Sequence, residues 1–244
     1  MILKVLGSSS KGNCYILKGE TSSILIEAGI KINHIKMALD FDLTQINGCI
    51  VSHNHKDHSV ALNDLLINGI PVFTSRGTAG DLQHHNLNII KAKQTFKVGE
   101  FKILAFDTIH DVDEPLGFMI EQEMTGERLL FATDTYYIKY KFKGLNYLLV
   151  EANHSNEILE QNQEFGSLHP GLKKRVQETH MSLETLKDFM LANDISQVKK
   201  IVLIHLSDRN SNADQFKKDI EELTGKETLI AEPGMEIQLE ICPF

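Results

Sequence analysis

The segment Ser52-His53-Asn54-His55-Lys56-Asp57-His58 places four metal-ligating side chains within six residues. Histidine is the commonest metal ligand, and a neutral imidazole beside a carboxylate is the donor mixture that zinc accepts. His53 and His55 stand two apart, so an extended chain projects them to the same side. Asp57 and His58 fall where the chain turns into the next helix. One loop can therefore offer ligands to two metals. The plainer reading, a solvated polar loop with incidental histidines, sits badly with spacing this ordered.

Two metals need further donors, and later apolar runs end on them. His110 closes Phe101–Ile109, Asp134 closes Leu129–Thr133 and His205 closes Ile201–Ile204. A lone His or Asp at a strand end is more often a turn residue. Three of them beside the first motif reverse that expectation. An all-imidazole and carboxylate set suits Zn²⁺, with Mn²⁺ or Fe as alternatives.

Other segments bear on an anionic substrate. Leu206-Ser207-Asp208-Arg209-Asn210-Ser211 offers hydroxyls, an amide and a guanidinium that suit phosphate, with Ser207, Arg209 and Asn210 as candidate contacts. Equally, Ser211 or Asn210 would simply cap the helix from Asn212. Gly7-Ser8-Ser9-Ser10-Lys11-Gly12-Asn13 is a small-residue turn whose N–H groups, near Ser9, can meet an anion. It lacks Walker spacing and no helix follows it. The basic runs Lys139–Lys143 and Lys173–Arg175 read as solvated faces.

Elements must carry these residues to one place. Apolar runs at 2–6, 14–17, 23–27 and 47–51 read as strands, as do 71–73, 101–107, 116–120, 129–132, 146–150, 200–204, 228–231 and 235–241. Helical patterns cover 33–41, His58 to Asn68, 182–193 and 212–223, whereas 161–178, with weak periodicity and His169-Pro170-Gly171, reads as a loop or lid. Strands in series and then mixed with helices predict an α/β fold, a four-layer αββα sandwich formed by one domain over 1–244. With 25 Lys+Arg against 33 Asp+Glu the net charge is -8, which argues against a long nucleic acid as partner but not against a small phosphorylated one. The three cysteines Cys14, Cys49 and Cys242 form no CxxC pair, and Met1–Leu6 reads as a strand and not a signal peptide, so a reducing cytoplasm is expected. No apolar run reaches the roughly 20 residues that cross a membrane.

HxHxDH followed by strand-end His, Asp and His resembles the metallo-β-lactamase superfamily over essentially the whole chain. The resemblance implies His53, His55 and His110 on one metal, Asp57, His58 and His205 on the other, and Asp134 bridging, with two Zn²⁺ as cofactors. Where the family has an early-strand Asp buttressing the metal loop, this chain has Glu27, either supporting the loop or capping a strand end. Val150-Glu151-Ala152-Asn153-His154 and Thr179-His180-Met181 resemble the RNase Z branch. That likeness implies His180 as general acid oriented by Glu151, with Asp57 in the catalytic set and His154 either a substitute for His180, a substrate contact or a surface residue. His180 alternatively only precedes the helix from Ser182. The Ser8–Asn13, Glu-Ala-Asn-His and His-Leu-Ser-Asp-Arg-Asn-Ser segments are similar to the YycJ-like metallohydrolases and to the phage anti-Pycsar phosphodiesterases. The second likeness implies hydrolysis of 3′,5′-cyclic nucleotides such as cCMP and cUMP to linear monophosphates in counter-defence, by a homodimer that 161–178 helps to join. The alternatives are a nuclease acting on DNA or RNA ends, and a sensor that binds a nucleotide without turning it over.

Overall fold

In the computed structural model, which describes residues 1–239, the backbone contacts divide the chain into two units. The first comprises Met1–Asp107, Val112–Glu127 and the segment from Ala231; the second comprises Thr108–Asp111 and Arg128–Ile230.

In the first unit, β1 (Ile2–Ser9) and β2 (Gly12–Lys18) form a hairpin around Ser10-Lys11, and β3 (Ser23–Ile26) continues the sheet antiparallel to β2. β4 (Ile46–Ile50), β5 (Val72–Thr74) and β6 (Leu87–Ile89) then add in parallel. The helices α1 (Ile32–Ala38), α2 (Lys56–Ser59), α3 (Leu62–Ile67) and α4 (Arg76–Ala79) lie between these strands in sequence. β1 alternates buried and half-buried residues, the pattern of a strand with one face on a core, whereas β2 is buried almost throughout. Cys14, Leu25, Ile35, Val51, Leu65 and Val72 belong to the core beneath the helices. β7 (Thr95–Val98), β8 (Phe101–Asp107) and β9 (Leu116–Gln122) form an antiparallel meander.

In the second unit, β10 (Arg128–Ala132), β11 (Tyr147–Glu151), β12 (Lys200–Ile204) and β13 (Glu227–Ile230) run parallel. β10, β11 and β12 are near-continuous buried runs, as parallel strands covered on both faces require. The connections carry α5 (Asn156–Glu164), α6 (Pro170–Thr179), α7 (Leu183–Ala192) and α8 (Ala213–Thr224). The last strand, β14 (Glu236–Gln238), returns to the first unit and pairs antiparallel with β1. The expected strand over 235–241 runs past the described residues, and Cys242 lies outside them.

Two expectations are corrected. The stretch 161–178 is not a loop: α5 and α6 occupy most of it, capped by Ser155 and His169 with Pro170 in the first turn. Their periodicity is weak because each buries a single residue, Leu159 in α5 and Thr179 in α6. The helix expected from His58 to Asn68 is two short helices, α2 and α3. No helix among the described residues is long and apolar enough to cross a membrane.

Candidate metal centre

In the first unit the histidine-rich loop leaves the end of β4. Ile26 of β3 is in register with Ile50, so Glu27 emerges beside the start of the loop. Glu27 is fully buried, accepts the Ser52 N–H at 3.1 Å through Oε1, and brings Oε2 to 3.3 Å from His58 Nδ1. Of its two readings, support for the loop is therefore the one realised. Burial raises its carboxyl above the ordinary range, while His58 and Ser52 counter that rise. Ser52 Oγ lies 2.8 Å from His53 Nδ1, which fixes the ring and makes Nε2 the nitrogen it could offer to a metal. The His53 ring centroid is 4.8 Å from that of His55 and 4.2 Å from that of His58.

The small-residue turn at Gly7–Asn13 acts on this loop. Asn13 Nδ2 donates to the Asp57 carbonyl at 3.2 Å and lies 3.1 Å from His58 Nε2. Gly29 donates its N–H to the Asn13 carbonyl, and a Cβ on Gly29 would meet the Asp57 carbonyl oxygen at 1.7 Å. Close backbone approach explains that glycine. Ser9 Oγ accepts the Lys11 N–H at 3.2 Å within the turn.

In the second unit the parallel register aligns the other donors. Glu151 ends β11 opposite Ile204, His205 follows directly, and Ala132 pairs with Val150 two residues before Asp134. Asp134 reaches His110 Nε2 at 3.6 Å through Oδ2 and His205 Nε2 at 3.5 Å through Oδ1. His110 Nδ1 sits 2.8 Å from the Thr179 carbonyl; donation there turns Nε2 toward Asp134. Burial lowers the His110 pKa, with the Asp134 charge and the Thr179 carbonyl opposing, a shift in the direction that favours the neutral imidazole a metal needs. Asn153, missed as a contributor in the sequence, donates to the His205 carbonyl at 3.0 Å. Three residues at strand ends, Glu27 (φ 67), Asp134 (φ 45) and His205 (φ 53), adopt left-handed backbone without being glycine.

His180 Nδ1 lies 2.7 Å from Glu151 Oε1, and Oε2 of the fully buried Glu151 accepts the N–H groups of Thr135 at 3.1 Å and Met181 at 3.2 Å. With both oxygens engaged as acceptors, Glu151 accepts a hydrogen bond from the Nδ1–H of His180, which leaves Nε2 as the ring nitrogen for other chemistry. Asp134, Glu151, His180 and His205 each present one donor atom within 4.8 Å of the others. His180 precedes α7, whose cap is Ser182. The reading of His154 as a surface residue is overturned: it is 1% exposed, next to an isolated bridge with Ser182. In the 207–211 turn, Ser207 Oγ accepts the Asn210 N–H, Asn210 Oδ1 accepts from Asn162, and Arg209 is exposed; Asn212, not Ser211 or Asn210, caps α8.

The donors could hold a divalent metal ion by spacing as well as by type, with zinc geometry as the measure. Zn–N and Zn–O bonds of about 2.0–2.1 Å at tetrahedral angles put neighbouring donor atoms roughly 3.4 Å apart. Within the first unit His58 Nε2 and Asp57 Oδ2 are 3.4 Å apart, and within the second the two Asp134 contacts are 3.5 and 3.6 Å. These separations are long for hydrogen bonds and right for two ligands sharing an ion.

Residues 23–206 match the model of the Beta-lactamase superfamily domain. Over 220 residues the chain is 26% identical to Exodeoxyribonuclease YycJ of Bacillus anthracis, covering 83% of this chain and 81% of the relative. It is 25% identical over 226 residues to Exodeoxyribonuclease WalJ of Streptococcus pneumoniae, covering 85% and 82%. Among solved structures, the metallo-β-lactamase fold protein YhfI of Bacillus subtilis superposes with a TM-score of 0.72 at 15% identity, covering 97% of this chain and 98% of that one. The fold expected from the motifs is the fold found.

Proposed function

The chain belongs to the beta-lactamase superfamily and has the metallo-β-lactamase fold, and on that premise we propose that it is a two-metal phosphodiesterase that opens small 3′,5′-cyclic nucleotides to linear monophosphates. The observation that carries the reading is the His180–Glu151 pair, 2.7 Å apart and within one donor group with Asp134 and His205. Following the superfamily pattern, His53, His55 and His110 would hold one zinc and Asp57, His58 and His205 the other, with Asp134 shared by both, and Mn²⁺ is the alternative ion. Such ions, when bound, supply Lewis acidity and lower the pKa of water toward about 7.

The chain's own residues do the rest. The ribose oxygen leaving phosphorus is a strong base and departs well only when protonated. His180 delivers that proton from Nε2, a contribution of roughly 10²–10⁴ in rate. Glu151 holds the ring by accepting at Nδ1 and stabilises the imidazolium that supplies the proton. Ser207, Arg209, Asn210 and Ser9 are the proposed phosphate contacts. The net charge of -8 favours a small substrate over a long polyanion. The exposed Phe165 and Leu172 on the α5–α6 segment support that segment as the joint of a homodimer.

A second reading, an exonuclease on DNA ends, is favoured by the YycJ and WalJ relatives and by one cleft. Lys11, Lys31, His34 and Lys56 surround Asp57 in a cleft of about 400 Å³, a cationic lining that fits a nucleic-acid backbone. The discriminating experiment offers metal-loaded protein cyclic mononucleotides and labelled single-stranded oligonucleotides side by side. Linear monophosphate from the first alone is the expected result. Cleavage of the oligonucleotides alone replaces the cyclic-nucleotide reading with the exonuclease one, and tight binding without product over hours makes the protein a sensor.

A further inference from the structure

One wall of the candidate centre is shared with a cleft. His180, whose other neighbours are metal-donor residues, also lines a cavity of about 460 Å³ together with Tyr136, His154, Asn156, Gln177 and Ser182. Ligand pockets run from roughly 300 to 1,000 Å³, so the space suits one small organic group. If His180 protonates the oxygen that leaves phosphorus, the sugar carrying that oxygen lies against His180, and whatever the sugar bears extends into this cleft.

The lining says what that group is. Among the described residues that form the cleft, none is Lys or Arg, and the one fixed charge is the carboxylate of Glu178, 3.7 Å from Lys174. A phosphate finds no counter-charge there, whereas a neutral ring system does not need one. Tyr136 is 47% exposed and offers an aromatic face. The amides are held in place: Glu184 accepts the backbone N–H and the Nδ2 of Asn156, and Gln177 donates to Asn156 Oδ1 at 3.4 Å. His154 is the least explained member. It is 1% exposed, yet its Nδ1 has no hydrogen-bond partner among the described residues. Buried polar atoms are almost always partnered, by protein, water or ligand. Burial pushes its pKa down to about 4, so at neutral pH the ring carries one N–H and one bare nitrogen, a donor and an acceptor of the kind that reads a base edge.

We propose that this cleft is the seat of the nucleobase, with Tyr136 stacking on the ring and His154 and Gln177 meeting its polar edge. The assignment rests on the proposed phosphodiesterase reading for its orientation but not for its test.

The test is calorimetric titration of the metal-loaded protein with the four common nucleoside 5′-monophosphates and with ribose 5-phosphate, which lacks a base. At least one nucleotide is expected to bind about tenfold or more tighter than ribose 5-phosphate, the scale of one base–aromatic stack. Tyr136→Ala, at an exposed position that the fold tolerates, and His154→Leu should each erase most of that difference while leaving the affinity for ribose 5-phosphate in place. Equal affinity for all five ligands, or an advantage that survives both substitutions, overturns the assignment. Turnover of cyclic nucleotides is read separately. Base-dependent binding without turnover would sink the phosphodiesterase reading and leave the cleft assigned, and turnover without base-dependent binding would do the reverse.

Discussion

Replacing Glu151 by glutamine changes one atom and tests the logic of the His180 pair. Three N–H donors converge on the buried carboxylate: His180 Nδ1 at 2.7 Å on Oε1, and Thr135 and Met181 at 3.1 and 3.2 Å on Oε2. An amide has only one acceptor oxygen. If that oxygen keeps His180, the NH₂ faces two backbone donors. Each loses its acceptor in a fully buried place, at about 1–3 kcal/mol apiece, or roughly 2–6 kcal/mol of stability. If the amide flips, its NH₂ faces Nδ1 instead. The imidazolium, which carries protons on both nitrogens, then cannot form, and proton delivery worth roughly 10²–10⁴ in kcat disappears. Denaturant unfolding and kcat on a cyclic nucleotide measure the two arms. A p-nitrophenyl phosphodiester is the control, because its weakly basic leaving group needs no proton and should be cleaved at close to the native rate by whatever fraction is folded. A Glu151→Gln protein with native unfolding midpoint and native kcat on the cyclic nucleotide would refute the reasoning, since no orientation of the amide preserves both.

Gly29→Ala should push its Cβ into the Asp57 carbonyl, where an ideal Cβ stands at 1.7 Å, and displace the histidine-rich loop; zinc content by elemental analysis should fall while the far-UV spectrum stays native. Glu27→Gln, whose amide has one acceptor oxygen and so keeps the Ser52 contact or the His58 contact but not both, should weaken metal binding by about 10–100-fold, measured by competition with a chromophoric chelator. Removing metal with a chelator should abolish diester cleavage and lower the melting temperature, and re-adding Zn²⁺ or Mn²⁺ should restore both; activity unchanged after verified metal removal would contradict the centre. His154 is held neutral with its pKa lowered from 6.5 to about 4, so the unfolded chain takes up a proton first as pH falls. Its contribution is intact above pH 6.5 and is lost between 6.5 and 4, costing about 2 kcal/mol from pH 7 to pH 5, a slope that His154→Leu should flatten in urea titrations.

The candidate metal donors were legible because their signal is local: four donor types in one loop, then single donors just after apolar runs that do become β8, β10 and β12. What supports them was not legible. Asn13 acts on Asp57 across 44 residues and the Thr179 carbonyl on His110 across 69, and such contacts leave no spacing to read. Glu27 was visible as a carboxylate at a strand end, but its depth comes from the β3–β4 register. β6 and β7 escaped notice because they are short and poorly buried, so no alternation develops. α5 and α6 carry no helical signature in the sequence for a related reason, since a helix that buries one residue shows almost no amphipathic stripe.

The left-handed backbone at Glu27, Asp134 and His205 has a bearing on the history of such a chain. A side chain in that conformation costs on the order of 1–2 kcal/mol that glycine would not incur. A copy freed from the need to do chemistry would gain stability by admitting glycine or asparagine at those three points. If Asp134 and His205 hold metal as proposed, glycine at both positions in an otherwise similar sequence marks a copy that has given up the centre, readable before any assay is run.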